Sequence, residues 1–283
     1  MGKGCENCDT ISEKVLRKMS MSRLVLCFLA AMPSLVAHDL YILPGTFQVA
    51  PGQKLRVAYH NGDAFPESEA APPLARLTAA RLVSRWGSVS VGELHAGGKE
   101  VLGEVVVPKG GSFQLAVATT PNFIELEPAK FVDYLQEEGL DEVIAWRRTH
   151  GEDFRPGRER YSKFAKSVLR GATDDDFYQA VLGLPIEIVL LSDPGKLKAG
   201  DKLRVKVLLR GKPAVGLQLE ATRALGGKAK TTAIGRTGAD GGIDVPIDQA
   251  GRWRLHGVRM ERCAEPKLAD WESLWASVTF EVR

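Results

Sequence analysis

Short segments that alternate between apolar and polar residues recur along most of this sequence, and this pattern constrains its fold most strongly. Residues 55–59, 101–107 and 113–117 are such segments, and the turn-forming stretches 61–63 and 108–111 lie between them. A period of two is typical of strands with one buried face. Many short strands with Gly and Pro between them favour a β-sandwich. The sequence therefore predicts a mainly β fold, with residues 108–111 as a hairpin loop.

The same alternation returns in the C-terminal part of the chain. Residues 186–190 and 203–209 alternate clearly. About seven strands fit into the last roughly 100 residues, which is the number and spacing of an immunoglobulin-like or transthyretin-like sandwich. We therefore predict two β-sandwich domains, residues 38–184 and 185–283, with a boundary near Gly183.

A short helical insertion is predicted within residues 128–171. Residues 128–148 have apolar residues at roughly helical spacing, with a break at Gly139. In residues 159–170 the apolar residues fall at positions i, i+3, i+4, i+7 and i+8, which form one stripe on a helix. These residues are Tyr161, Phe164, Ala165, Val168 and Leu169. Two or three short helices are therefore expected in this segment.

Residues 1–37 have the three-part pattern of a secretory signal peptide. Basic residues precede the apolar run 24–31, and a small residue, Ala37, ends the segment. The run is too short for a membrane anchor, because a spanning helix needs roughly 20 apolar residues. Met19 and Met21 are alternative start sites, which would make residues 1–18 a spurious extension. The sequence predicts export to the periplasm or beyond, with no transmembrane segment in the mature chain.

The proposed leader also changes what the composition implies. It contains three of the four cysteines, so Cys263 is alone in the mature chain and no intramolecular disulfide is expected. It contains five of the 38 Lys and Arg residues and three of the 35 Asp and Glu residues, which leaves 33 basic and 32 acidic residues. Such a balanced charge gives no electrostatic reason to expect nucleic acid as a partner.

The motifs of common hydrolases and nucleotide-dependent enzymes are absent from the sequence. It has no GxSxG nucleophile elbow, no GxGxxG before a helix and no GxxxxGK[ST] loop. The acidic run 174–176 lacks the spacing of an EF-hand calcium loop. We therefore predict a protein that is not an enzyme and has neither catalytic residues nor an organic cofactor.

A metal site is the one chemical function that the residues suggest. Cleavage after Ala37 would give His38 a free α-amine beside its imidazole, and this pair can chelate Cu(II) or Ni(II). Asp39 would add an oxygen ligand, and His60 or His95 would add a second imidazole. If cleavage instead follows Leu35, His38 becomes the third residue, an arrangement that binds the same two metals.

Six segments together resemble a family of exported bacterial proteins, the domain-of-unknown-function family 4198. At residues 38–42 the chain reads His-Asp-Leu-Tyr-Ile, where the family usually has His-Asp/Glu-aromatic-Trp/Tyr-Ile/Leu after its signal. The matching segments are 37–42, 61–66, 159–166, 183–188, 211–213 and 274–280. The family is often labelled a periplasmic component of cobalt or nickel uptake. The resemblance implies two β domains and a periplasmic or cell-surface role, and it implies metal handling only loosely.

These observations predict an exported protein that binds Ni, Co or Cu through His38, Asp39, His60 and His95. Its expected partner is a membrane metal transporter. Two alternatives stay open, since one fold supports unrelated functions. The chain is then either a structural or adhesive surface protein without catalytic activity, or a copper oxidase whose metal is held by His38 and a second histidine.

Overall fold

Strands dominate residues 38–283, which are the residues that the computed structural model describes. The strands of the first half are β1 (Leu40–Pro44), β2 (Lys54–Asn61), β3 (Leu77–Ser84), β4 (Gly87–Ser90), β5 (His95–Gly97), β6 (Glu100–Val106), β7 (Phe113–Thr119), β8 (Asn122–Leu126) and β9 (Gly157–Leu169). Those of the second half are β10 (Ile186–Leu190), β11 (Lys202–Leu209), β12 (Lys212–Pro213), β13 (Gln218–Leu225), β14 (Lys228–Arg236), β15 (Gly242–Pro246), β16 (Gly251–Arg262) and β17 (Trp271–Val282). Two helices, α1 (Pro128–Glu137) and α2 (Asp141–Thr149), lie between β8 and β9.

Three sheets contain these strands. The largest has nine strands in the order β14-β13-β16-β17-β9-β7-β3-β4, with β8 also paired to β9. A second sheet has the order β1-β2-β6-β5, and a third consists of β10, β11, β12 and β15. β17 runs parallel to β9, whereas the other paired strands are antiparallel. The stretch 108–111 therefore crosses from one sheet to another between β6 and β7, and its prediction as a hairpin loop is wrong.

Each smaller sheet packs against the large one, so the predicted mainly β sandwich architecture is confirmed. One core lies between β1, β2 and β6 on one side and β3, β7 and β9 on the other. A second core lies between β10, β11 and β15 on one side and β13, β16 and β17 on the other. The smaller sheets contact opposite faces of β9, because Ala165 and Leu169 belong to the first core while Phe164 and Val168 belong to the second.

The predicted boundary near Gly183 lies between β9 and β10. Strands from both sides of it pair in the large sheet, where Trp271 of β17 aligns with Glu159 of β9. Residues 38–283 form one compact unit. The division into two domains at this point stays a prediction.

The helical prediction for residues 128–148 is confirmed, including its break. α1 and α2 are separated at Gly139, whose φ of +64° is a conformation that favours glycine. Phe131 and Leu135 of α1 pack with Trp271 and Trp275 of β17, so the helices cover part of the large sheet.

The helix predicted for residues 159–170 is wrong, because all but the last of these residues lie in strand β9. β9 is a central strand that is covered on both faces, so its apolar residues do not follow a period of two. Buried polar residues such as Lys163 and Lys166 interrupt the apolar ones. The resulting order of apolar and polar residues matches the spacing of a helix stripe.

The leader predicted at residues 1–37 lies outside the described residues, together with Cys5, Cys8 and Cys27. Cys263 is buried and has a free thiol. Among residues 38–283, no helix has the length and hydrophobicity that crossing a bilayer requires.

Candidate metal centre

The side chain of His38 lies between two carboxylates. Its Nδ1 atom is 3.0 Å from Oδ2 of Asp63 and 3.4 Å from Oε2 of Glu69. The side chains are 27%, 56% and 39% exposed, respectively, so solvent and small ions reach them. Within residues 38–283, these three form the group of His, Cys, Asp and Glu side chains that is close enough to share one metal ion.

The loop that follows β2 holds both carboxylates. The amides of Glu69 and Ala70 donate to the carbonyl of Asn61, which closes the loop on itself. Oε1 of Glu69 accepts from the amide of Asp63, so its other oxygen is directed toward His38. A Cβ atom at Gly62 would lie 2.9 Å from the amide nitrogen of Glu69, so only glycine fits this close approach.

The loop is also fixed to strand β1. The amide of Gly62 donates to the carbonyl of Asp39 at 3.0 Å, and the amide of Asp39 donates to Oδ1 of Asp63 at 3.3 Å. The hydroxyl of Tyr41 donates to the carbonyl of Glu67 at 2.7 Å. These bonds place His38 and Asp39, the two residues before β1, beside the acidic loop.

The carboxylate of Asp39 lies in a buried network of charges. It is 3.0 Å from Nη1 of Arg254 and 2.8 Å from Nδ1 of His256, and the other ring nitrogen of His256 is 2.9 Å from Oε2 of Glu138. Burial alone would raise the pKa of Asp39, but the His256 and Arg254 cations lower it to about 2. Burial likewise opposes the charge on His256, but Asp39 and Glu138 raise its pKa to about 10. His256 is therefore a cation at neutral pH.

Lys163 of β9 contacts the main chain of the candidate site. Its ammonium group donates to the carbonyl of His38 and lies 3.4 Å from Oδ1 of Asn61. Burial lowers the pKa of Lys163 to about 8, although Asp39 acts against this shift. Lys163 is thus mostly protonated at neutral pH, and it binds the carbonyl of His38 as a cation.

The donor set at His38 suits a divalent transition-metal ion. One imidazole nitrogen and two carboxylate oxygens form a mixed nitrogen and oxygen site, which suits Co, Ni, Cu or Zn better than it suits Ca or Mg. Without a metal, Nδ1 of His38 is within hydrogen-bond distance of Oδ2 of Asp63. Metal ligands must be unprotonated, so binding is expected to release protons and to weaken at low pH.

The four residues that the sequence predicts as ligands are not brought together. Asp39 is occupied by Arg254 and His256. His60 is buried and stacks on Tyr41, with a ring-centroid distance of 5.0 Å. His95 is exposed on β5, and two strands separate β5 from β1. The predicted pairing of His38 with His60 or His95 is therefore not formed, because register and sheet order place these side chains elsewhere.

The sequence analysis missed the residues that do surround His38. Asp63 lies in a stretch noted only as a turn and as part of a family resemblance, and Glu69 gave no signal. Both lie more than 20 positions from His38. They reach it because the loop after β2 closes on itself, and such a closure leaves no periodic pattern in the sequence. Arg254 and His256 lie on an ordinary alternating strand, and no motif marks them.

A family model described as "Domain of unknown function (DUF4198)" matches residues 35–260. The chain belongs to this family. The match includes every residue of the DUF4198 chain that surrounds the candidate centre, from His38 to His256. Its description states no metal, substrate or partner.

No curated protein matches this DUF4198 chain. Solved structures that it resembles include a tetra-tandem repeat in the extending region of a large adhesion protein, with 13% identity, a TM-score of 0.23, and coverage of 86% of this chain and 49% of that one. A DUF4785 family protein from Legionella pneumophila has 12% identity, a TM-score of 0.24 and coverage of 76% and 52%. The D0-D1 domain of intimin has 12% identity, a TM-score of 0.21 and coverage of 86% and 97%. The chain thus spans about half the length of the first two. Scores this low support no functional argument.

Proposed function

We propose that this protein is an exported binding protein for a divalent transition-metal ion, Ni(II), Co(II) or Cu(II), held by His38, Asp63 and Glu69. The observation that carries the proposal is the position of the His38 ring, with Nδ1 at 3.0 and 3.4 Å from two carboxylates. Delivery of the ion to a membrane metal transporter, in the periplasm, is the role that we expect.

The anchoring of residues 38 and 39 supports this proposal. The first residues of a mature chain usually fray unless other groups hold them. Here the carbonyl of His38 is bound by Lys163, and Asp39 is bound by two buried cations. A metal ligand held in advance loses less conformational entropy on binding than a mobile one does.

Cleavage after Ala37 would add a fourth donor. The α-amine and Nδ1 of one histidine can close a six-membered chelate ring with a metal ion. Nδ1 is also the ring nitrogen that faces Asp63 and Glu69. Processing would therefore complete a site with two nitrogen and two oxygen ligands, which is a donor set that Ni(II) and Cu(II) accept.

Isothermal titration calorimetry on protein that begins at His38, verified by mass spectrometry, tests the proposal. We expect binding of one Ni(II), Co(II) or Cu(II) ion, with proton release that appears as a dependence on the ionisation enthalpy of the buffer. His38→Ala is expected to abolish binding. Asp63→Asn and Glu69→Gln are each expected to weaken it at least about tenfold, since even partners outside the ligand set contribute that much.

Two controls make the result specific. His95→Ala removes an exposed histidine far from the site and should leave the affinity unchanged. A protein with one glycine before His38 keeps the three side chains but moves the amine, so a weaker affinity there assigns the amine as a ligand. Equal binding by the wild-type and His38→Ala proteins, or no binding by any of them, would overturn the proposal.

The two alternative functions are separated by the same titration. A structural or adhesive protein should bind no transition metal at this site. A copper oxidase with a histidine pair needs a second imidazole near His38. Among residues 38–283 no other histidine belongs to the group around it. We therefore do not propose the oxidase activity.

A further inference from the structure

We infer that Arg254 is the positioning residue of the candidate metal centre: it joins the segment that carries His38 to the loop that carries Asp63. The inference rests on the proposed function, since it concerns how the same site is assembled. Arg254 does not touch the group of three ligands itself. It lies on β16, more than 190 positions along the chain from both segments.

Arg254 contacts both parts of the site at once. Its Nη1 atom lies 3.0 Å from Oδ2 of Asp39, the residue after His38. The same atom donates to the carbonyl of Gly62, the residue before Asp63, at 3.1 Å. His38 and Asp63 are thus each the direct neighbour of a residue that Arg254 holds.

Aromatic rings fix the guanidinium group in this position. Its central carbon lies 5.4 Å from the ring centroid of Tyr41 in β1 and 5.7 Å from that of Phe65 in the loop. Nη2 lies 3.4 Å from Oγ1 of Thr222 on the neighbouring strand. The side chain of Arg254 is only 5% exposed, so little water competes for these contacts.

The arrangement needs an arginine in particular. A planar guanidinium group donates in several fixed directions and also stacks on aromatic rings, whereas an ammonium group is a compact point charge. Lys163 holds the carbonyl of His38 and lies 3.4 Å from the side chain of Asn61, whereas Arg254 donates to the main chain of the loop beside Asp63. Arg254 is therefore the cation that joins the main chain of the loop to the segment of His38.

Titration of processed protein with Ni(II), with and without changes at Arg254, tests this inference. Arg254→Lys keeps a positive charge beside Asp39 but loses the planar group that lies against Tyr41 and Phe65 and reaches Thr222. We expect it to fold and to bind Ni(II) about tenfold more weakly than the wild type, which is the effect typical of residues that orient metal ligands. Arg254→Met should weaken binding further. If the Met variant does not fold, the test rests on Arg254→Lys alone.

Arg147 offers a matched control. It is another buried arginine, and it donates to the carbonyls of Glu152 and Arg155 at 2.7 and 2.6 Å, away from the metal centre. Arg147→Lys should reduce stability without changing the affinity for Ni(II). Hydrogen exchange in metal-free protein should speed up at the amides of Asp39, Gly62 and Asp63 in Arg254→Lys only. A general loss of stability would not produce this difference.

The outcomes separate this inference from the proposed function. If the wild type does not bind Ni(II), Co(II) or Cu(II), the proposed function fails and the role of Arg254 fails with it. If the wild type binds and folded Arg254→Lys binds equally well, metal binding stands and the role of Arg254 is overturned. An equal loss of affinity in Arg147→Lys would also overturn it, because the effect would then follow stability alone.

Discussion

Glu159 has a buried carboxyl group, and its hydrogen-bond partners are uncharged hydroxyl groups. It accepts hydrogen bonds from the hydroxyls of Tyr134, at 3.1 Å, and Ser273, and one of its oxygens has no partner. Burial raises the pKa of Glu159 to about 7, although the two hydroxyls and Lys163 act in the opposite direction. The side chain is therefore largely protonated below neutral pH.

A pH dependence of stability follows from this residue. The unfolded carboxyl titrates near 4.5 and the folded one near 7, so its stabilising effect is full below about pH 4.5 and is lost as the pH rises through 7. Between pH 4.5 and 8 the free energy of unfolding should fall by about 3 kcal/mol relative to Glu159→Gln, which does not titrate. Urea unfolding of both proteins across this range measures the difference. Parallel pH profiles would contradict the prediction.

At the same scale, the sequence could identify His38 but not its surroundings. The position of His38 after a signal-like leader is a local property of the chain. The positions of Asp63 and Glu69 depend on the closed loop after β2, and the anchoring of Asp39 depends on β16. Contacts between such distant segments leave no periodic pattern, so only the folded structure shows them.

At the scale of elements, a buried ion pair joins β9 to β10. Nζ of Lys166 is 2.8 Å from Oε1 of Glu187, and both side chains are at most 2% exposed. The carboxylate of Glu187 also accepts from the amides of residues 182, 183 and 184, which holds the connection between the two strands. Burial lowers the pKa of Lys166, while Glu187 acts to raise it.

A double-mutant cycle tests this junction. Lys166→Met leaves the Glu187 carboxylate without its cation, and Glu187→Gln leaves a buried ammonium, so each should cost about 3 kcal/mol. The double variant buries no unpaired charge and keeps an acceptor for the three amides. It should therefore be more stable than the sum of the single effects by about 2 kcal/mol. Thermal and urea unfolding provide the values, and simple additivity would show that the pair is not coupled.

Whether a strand is covered on one face or on both explains where prediction from sequence succeeded and where it failed. Strand β11 and the first half of β2 have one covered face, alternate in sequence and were predicted correctly. β9 is covered on both faces and carries Lys163 and Lys166 as buried cations, so its pattern indicated a helix. Local patterns also do not reveal the sheet to which a strand belongs, so the crossing at 108–111 was predicted as a hairpin.

At the scale of the whole molecule, the large sheet connects the two halves of the chain. β9 lies between β7 of the first half and β17 of the second. β1 adds a second connection, because the hydroxyls of Ser277 and Thr279 on β17 donate to the carbonyls of Leu40 and Ile42. The candidate metal centre borders this junction, since Asp39, the residue after His38, pairs with Arg254 of the second half.

Residues 38–184 alone are therefore not expected to fold. Removal of the second half exposes one edge of β9 and the face of β9 that carries Phe164 and Val168, and it removes Arg254 and His256, which are the partners of Asp39. Residues 38–283 together should unfold in one transition, with the same urea midpoint by tryptophan fluorescence and far-UV circular dichroism. The isolated fragment should show no cooperative transition, and its resonances should have the narrow dispersion of an unfolded chain. A fragment that folds and unfolds cooperatively would instead establish the boundary near Gly183 as one between two independent domains, and the shared sheet would then be an interface between them.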